Sequence, residues 1–178
     1  MITEGYVMHI LLTGRPGIGK STAIEKIIQS IGNQRVGGFV SREIREHGKR
    51  KGFEIITLDG ARGVLAHVNR KTGPQVGKYR VNVDDIENVA IPSLKEARKQ
   101  GKLIIIDEIA SMEMKSSLFR DEVLKCLNEG IVIATIQNRK HTFLDSLKSR
   151  NDTEVITLTK GNRNKVPAQV LKILGQRE

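Results

Sequence analysis

The sequence predicts an α/β fold: a doubly wound, mainly parallel sheet that carries an antiparallel β extension at about residues 42–83. Three observations point to it. Short, almost wholly apolar runs (residues 10–12, 103–106 and 131–136) alternate with amphipathic helical stretches, the pattern of parallel strands covered on both faces. The first run stops at a glycine-rich turn, and a helix follows at once. Between residues 42 and 83 the pattern changes to short strands joined by Asp-Gly and Gly-Pro turns, as in antiparallel hairpins.

The glycine-rich turn reads Gly14-Arg15-Pro16-Gly17-Ile18-Gly19-Lys20-Ser21-Thr22. It is Gly-x-x-x-x-Gly-Lys-Ser, the Walker A pattern, set between an apolar strand and a helix with Ile24, Ile27, Ile28 and Ile31 on one face. Its glycines let successive N–H groups turn inward as an anion nest, and the helix N-terminus adds positive dipole at the same point. Lys20 is then placed to reach the β- and γ-phosphates, and the Ser21 hydroxyl to coordinate Mg²⁺. The plain alternative is a glycine-rich turn with no ligand; the strand before it and the helix after it favour nucleotide binding.

The other elements follow in order. Residues 1–7 are a strand extension or a frayed start. Gly32-Asn33 ends the first helix, and residues 36–41 form a second core strand. In the extension, residues 52–58 and 63–68 form a hairpin about Asp59-Gly60, residues 43–45 a third antiparallel strand, and residues 79–83 a further strand after Gly73-Pro74. Asp84-Asp85 caps a helix through Ile86 and Val89 that is interrupted or restarts at Pro92 and stops at Gly101. After the strand at 103–108 come a helix at about 115–128, the strand 131–136 and a short helix at 141–150. A strand at 154–158 and a terminal helix with Pro167 in its first turn complete the chain.

The apolar run 103–106 ends in Asp107-Glu108, the second half of a nucleotide site. Ligands of open α/β sheets collect at the carboxyl ends of the strands, which brings both acids beside the glycine-rich loop. Asp107 holds Mg²⁺ through its water shell, and Glu108, its side chain aimed elsewhere, polarises an attacking water. A glutamate beside the metal Asp goes with an extra strand between the P-loop strand and the acidic strand, and residues 131–136 supply it. Gln137-Asn138 would then present an amide near the γ-phosphate, with Arg139 and Lys140 following as stabilisers of charge or as a solvated loop.

A chain of 178 residues with 38% hydrophobic and 28% charged residues fits one soluble domain, 1–178. No apolar run approaches the roughly 20 residues of a membrane span, and no signal pattern opens the chain. The single Cys126 excludes an internal disulfide and reads as packing, so a cytoplasmic location is expected. The net charge of +10 suits a nucleic acid, an acidic ligand or a solvated surface. With aromatics at 3% and no Trp, a stacking platform for nucleic acid is poorly supplied, and charge alone gives only nonspecific binding.

The chain resembles a small P-loop nucleoside-triphosphatase family known from thermophilic prokaryotes and from the human cancer-related nucleoside-triphosphatase. The matching segments are LLTGRPGIGKST, GGFVSREIRE, GFEIITLDG, GPQVGKYRV, LIIIDEIASMEM, ATI before a His-containing segment, and Asn162-Arg163. The resemblance implies a RecA-like core that hydrolyses several nucleoside triphosphates (ATP, GTP, CTP, UTP) to diphosphate and phosphate with Mg²⁺. It places phosphate on residues 14–22 and the acidic motif at Asp107-Glu108. It also suggests site-side roles for Glu113 and for Arg163, the latter on the nucleotide. One departure is Ala110-Ser111, where relatives commonly have Gly-Lys or Gly-Pro. Two other readings stay open: a small nucleoside or nucleotide kinase, with 70–80 as a basic lid, and a nucleotide-dependent nucleic-acid-binding protein.

Overall fold

Every residue of the first strand, β1 (His9–Thr13), is buried, so this strand has cover on both faces. The structure is a computed structural model that describes residues 9–175; the expectation for residues 1–7 lies outside them. The other described strands are β2 (Val36–Glu46), β3 (Lys49–Thr57), β4 (Arg62–His67), β5 (Gln75–Val76), β6 (Tyr79–Val81), β7 (Leu103–Ile109), β8 (Val132–Ile136) and β9 (Thr153–Thr157). Among the described residues they form one sheet in the order β5-β6-β4-β3-β2-β7-β8-β1-β9. The pairings from β2 through β7, β8 and β1 to β9 are all parallel. Those from β2 outward through β3, β4, β6 and β5 are all antiparallel. The expected insertion is present: β8 separates β1 from β7.

The helices are α1 (Lys20–Ile31), α2 (Val83–Asp85), α3 (Ile91–Lys99), α4 (Ser117–Glu129), α5 (Thr142–Lys148) and α6 (Val166–Gly175). Side chains alternate across a strand, and the core divides accordingly. Ile10, Leu12, Ile105 and Ile133 pack with Ile24 and Ile27 of α1 and Val170 of α6. Leu11, Ile104, Ile106 and Ala134 pack on the opposite face with Leu94 of α3, Phe119 and Val123 of α4 and Leu144 of α5. The free Cys126 is buried in that second layer, where burial pushes its thiol up to about 12. No described helix is long and apolar enough to cross a membrane.

The structure departs from the sequence reading at the extension. Residues 43–45 are not a separate strand but the outer half of β2. Its Val36–Phe39 pairs with β7, and from Phe39 to Glu46 it pairs with β3, so β2 joins the parallel core to the extension. At Gly38 (φ +103°) an added Cβ would lie 2.1 Å from the Ile105 carbonyl oxygen, so only glycine lets β2 approach β7 here. The helix after the extension is capped by Asn82, whose side chain accepts from the Asp85 N–H at 3.2 Å, and not by the Asp pair. Asp85 is committed elsewhere, accepting the Val64 N–H at 2.7 Å. Pro92 does not break the chain of turns. A π-helical turn, Ile86–Ala90, joins α2 to α3 and leaves Pro92 in the first turn of α3, where a missing N–H costs little.

Candidate active site

The P-loop follows directly from β1, and its backbone is set by glycines in positions other residues rarely adopt. Gly19 precedes α1 at φ +113°, ψ 23°, the left-handed region. At Gly14 (φ +146°) a Cβ would come within 3.0 Å of the Leu158 carbonyl oxygen. From Arg15 to Gly19 one backbone N–H is spent inside the loop, that of Ile18 on the Arg15 carbonyl at 3.3 Å. The N–H groups of Lys20, Ser21 and Thr22 open α1, where no intrahelical partner exists. Ile18 is buried under the loop, whereas Arg15, Pro16, Gly17 and Thr22 are exposed.

Lys20 and Ser21 meet the acids of β7. The Lys20 ammonium donates to the Gly14 carbonyl at 2.8 Å and lies 3.6 Å from Glu108 Oε2. The Ser21 hydroxyl donates to Asp107 Oδ2 at 2.9 Å, and the Thr135 hydroxyl of β8 donates to Asp107 Oδ1 at 2.7 Å. The sequence places both acids beside the P-loop with the Glu108 side chain aimed elsewhere than that of Asp107, and the structure sets them on adjacent P-loop residues, Asp107 on Ser21 and Glu108 on Lys20. The reason is an irregularity in the ladder. Ile106 pairs with Ala134 and Ile109 with Ile136, so β7 spends one residue more than β8 between these pairs. Such a bulge re-aims side chains beside a site. The peptide joining Asp107 to Glu108 is cis.

Asp107 is only 3% exposed. Burial raises its carboxyl above the ordinary range, opposed by the hydrogen bonds of Thr135 and Ser21 and the charge of Lys20. Glu108 is raised as well, first by burial; Lys20 pulls it down and the negative charge of Asp107 pushes it up. Glu113, in the turn Glu113–Lys115 after β7, is 3% exposed. Burial, and then the charge of Glu108, hold its carboxyl well above the usual value.

Lys20, Ser21, Asp107 and Glu108 line a cleft of about 930 Å³, with Gln137 and Asn138 from the end of β8 and Arg42, Arg50 and Phe53 from the β2–β3 ribbon. Arg163 stands apart. It donates to the Ile18 carbonyl at 3.4 Å and lines a neighbouring hollow of about 240 Å³ with Gly19, Thr22, Lys26 and Asn164. Sequence reasoning missed Thr135, whose signal is a lone polar residue inside a buried strand, and the ribbon wall, which carries no motif. A cation held by Ser21 and Asp107 would find oxygen donors only. Among the described residues no group of three or more His, Cys, Asp or Glu side chains converges as a metal cage. That donor set fits Mg²⁺, which takes few protein ligands and fills the rest with water and phosphate oxygens.

A P-loop at the end of β1, paired acids at the end of β7 and a strand inserted between them define a P-loop NTPase of RecA-like topology. The comparisons agree. A family model described as NTPase matches residues 9–171. The nucleoside-triphosphatase THEP1 of Thermotoga sp. (strain RQ2) is 45% identical over 94% of this chain and 95% of its own. The mouse cancer-related nucleoside-triphosphatase homolog is 35% identical over 93% and 96%. The crystal structure of THEP1 from Aquifex aeolicus superposes with a TM-score of 0.87 at 35% identity, covering 94% of this chain and 99% of that one. The chain belongs to this nucleoside-triphosphatase family.

Proposed function

We propose that the protein hydrolyses nucleoside triphosphates to diphosphate and phosphate with Mg²⁺. The observation that carries the reading is the meeting of Lys20-Ser21 with Asp107-Glu108 in one cleft, at 2.9 Å between Ser21 and Asp107 and 3.6 Å between Lys20 and Glu108. In this reading residues 14–22 cradle the phosphates through backbone N–H groups, and Lys20 swings from the Gly14 carbonyl to the β- and γ-phosphates. Ser21 and Asp107 hold the cation, with Thr135 fixing the second Asp107 oxygen. Mg²⁺ there would draw charge from the phosphate oxygens. Glu108 accepts a proton from the attacking water, and its raised pKa suits a base working near neutral pH.

The nucleoside lies toward Arg163. Its hollow offers Lys26, Arg163 and Asn164 but no aromatic side chain. Long flexible cations favour ATP, GTP, CTP and UTP alike. The continuity of the sheet supports treating 1–178 as one domain. Phosphate release from Mg²⁺-ATP and Mg²⁺-GTP without any acceptor tests the activity, and Lys20→Ala tests the site. The variant is expected to fold and to lose most turnover; full turnover in a folded Lys20→Ala would remove the P-loop from the mechanism.

A further inference from the structure

The hydrolytic reading uses one end of the cleft. Phosphates on residues 14–22 and a cation on Ser21 and Asp107 take its P-loop end. The nucleoside turns toward the Arg163 hollow, which shares only Gly19 and Thr22 with the cleft. The far wall, Ser41 to Glu43 with Arg50 and Phe53, has no part in that reading. Its place follows from register. β2 pairs with β7 only as far as Phe39, opposite Ile106, but with β3 out to Glu46. Because β2 and β7 are parallel, the ribbon runs on past the level of Asp107 and Glu108 and walls the cleft beyond them.

Arg50 is fixed on this wall. Its Nε donates to the Tyr79 hydroxyl at 2.8 Å and its Nη1 to Glu43 Oε1 at 3.2 Å. The guanidinium carbon lies 5.2 Å from the centre of the Phe53 ring and 5.9 Å from that of Tyr79, and the two rings pack edge to face. Nη2 makes no hydrogen bond among the described residues, so a pre-set planar fork keeps donors for a ligand. Arg42 comes from the other face of the ribbon: it stands opposite Glu54 in register, whereas Glu43 stands opposite Phe53. It lies 3.6 Å from Glu25 of α1, and both side chains are exposed. Such a pair is weak, so an anion can draw Arg42 from it. Glu43 is already shared between Arg45 and Arg50.

We propose that the ribbon end of the cleft is a second phosphate site, where Arg50, joined by Arg42, holds the orthophosphate released by hydrolysis before it leaves. The inference rests on the hydrolase reading and adds the route of the product. The bond from the γ-phosphorus to the diphosphate oxygen breaks, an oxygen of water takes its place, and Glu108 receives the proton. Attacking and leaving oxygens lie in line, so the new phosphate moves away from the diphosphate. With diphosphate on the P-loop and nucleoside toward Arg163, that direction leads to the ribbon. Behind the phosphate stand Asp107, Glu108 and the diphosphate; ahead stand two guanidinium groups that suit a phosphate's oxygens. Tyr79 and Phe53 act as positioning residues for Arg50.

The experiment titrates inorganic phosphate calorimetrically into the full chain saturated with Mg²⁺ and a β,γ-imido triphosphate, so that the γ-position is already filled. Wild type should still bind phosphate. Arg50→Gln should weaken that binding at least about tenfold, the loss of a charged hydrogen bond. Arg50→Lys keeps the charge without the planar fork and should lose less, as should Arg42→Gln. Affinity for the imido triphosphate should stay within about twofold in all three, which shows that each variant folds. Phosphate that binds only when the P-loop is empty, or equally well in wild type and both Arg50 variants, would overturn the proposal. Adenosine monophosphate in place of phosphate tests the other source of the same chemistry, a phosphate ester. If it binds on Arg50 tenfold tighter than phosphate, or receives the γ-phosphoryl group of ATP, orthophosphate is overturned as the occupant. A chain that binds the imido triphosphate but releases no phosphate from ATP defeats the hydrolase reading, while the phosphate titration decides the site by itself.

Discussion

Glu108→Gln separates chemistry from binding at this site. The substitution keeps the shape and reach of the side chain and removes its basic oxygen. A positioned base contributes about 10²–10⁴ in rate, which is about 2.7–5.4 kcal/mol of barrier at about 1.36 kcal/mol per tenfold. The ligands of phosphate and cation, residues 14–22 and Asp107, are untouched. Glu108 also competes for Lys20 from 3.6 Å, with side chains 12% and 28% exposed for Lys20 and Glu108. Bare charges at that distance attract by on the order of 4 kcal/mol at an effective dielectric near 20, and water reaching Glu108 screens much of it. What survives holds Lys20 away from phosphate. The variant should therefore lose at least about a hundredfold in kcat, while its nucleotide affinity holds or tightens. Single-turnover phosphate release with calorimetric nucleotide titration reads both quantities. Wild-type turnover would leave hydrolysis without its base; a tenfold loss of affinity alongside the rate would make Glu108 a cation ligand instead.

Asp107→Asn should weaken nucleotide binding that depends on Mg²⁺ and leave metal-free binding close to wild type, read by titration with and without a chelator. The acid limb of kcat/KM should lie above the ordinary glutamate range, because burial raises Glu108 and the base works only when deprotonated; a limb at or below about 4.5 would contradict this. Burial holds the Glu113 carboxyl well above the ordinary glutamate value of 4.5, so between that value and its folded pKa the native state holds a proton the unfolded chain has lost. Stability must fall as pH rises through that window, and Glu113→Gln should flatten the slope in urea titrations at successive pH values. Glu122, 2% exposed and 2.9 Å from Arg98 Nη2, shares that guanidinium with the exposed Glu129, so its loss removes one of two carboxylate partners. Glu122→Ala should cost about 2 kcal/mol for the charged hydrogen bond, seen as a drop in Tm of roughly 4–8 °C.

The sequence made the P-loop, the acidic strand and the insertion of β8 legible, because each rests on local pattern. Gly14 and Gly19 dictate backbone, and the apolar runs mark strands with two covered faces. That Asp107 and Glu108 come to the P-loop was legible from the strand end, but which residue each one meets was not, since that depends on a ladder irregularity between β7 and β8 that no single strand encodes. Thr135 was hidden for the same reason: only the register beside β7 aims its hydroxyl at Asp107. Asn82 and Asp85 are both good caps by type, and the choice fell to Asn82 because the Val64 N–H claims the Asp85 carboxylate. Gln137 lines the cleft, but the contact that holds its side-chain oxygen comes from Ser111, 26 positions away in the chain, and was not legible.

The order of strands also sets a timetable for synthesis. β1, which leads into the P-loop, is made first, yet both of its neighbours, β8 and β9, come from the last third of the chain. About 140 residues separate the end of β1 from the end of β9, so at about 5–20 residues per second the strand waits roughly 7–30 s for its second partner. During that interval Ile10, Leu11 and Leu12 have no sheet to enter, and nucleotide has no assembled loop to stabilise. The ribbon of β2, β3 and β4, by contrast, pairs between neighbours in sequence and can close early. Nascent chains arrested before β9 has left the ribosome would carry a formed extension and an apolar strand open to chaperones, and nucleotide could protect them from protease only after release of the C-terminal quarter.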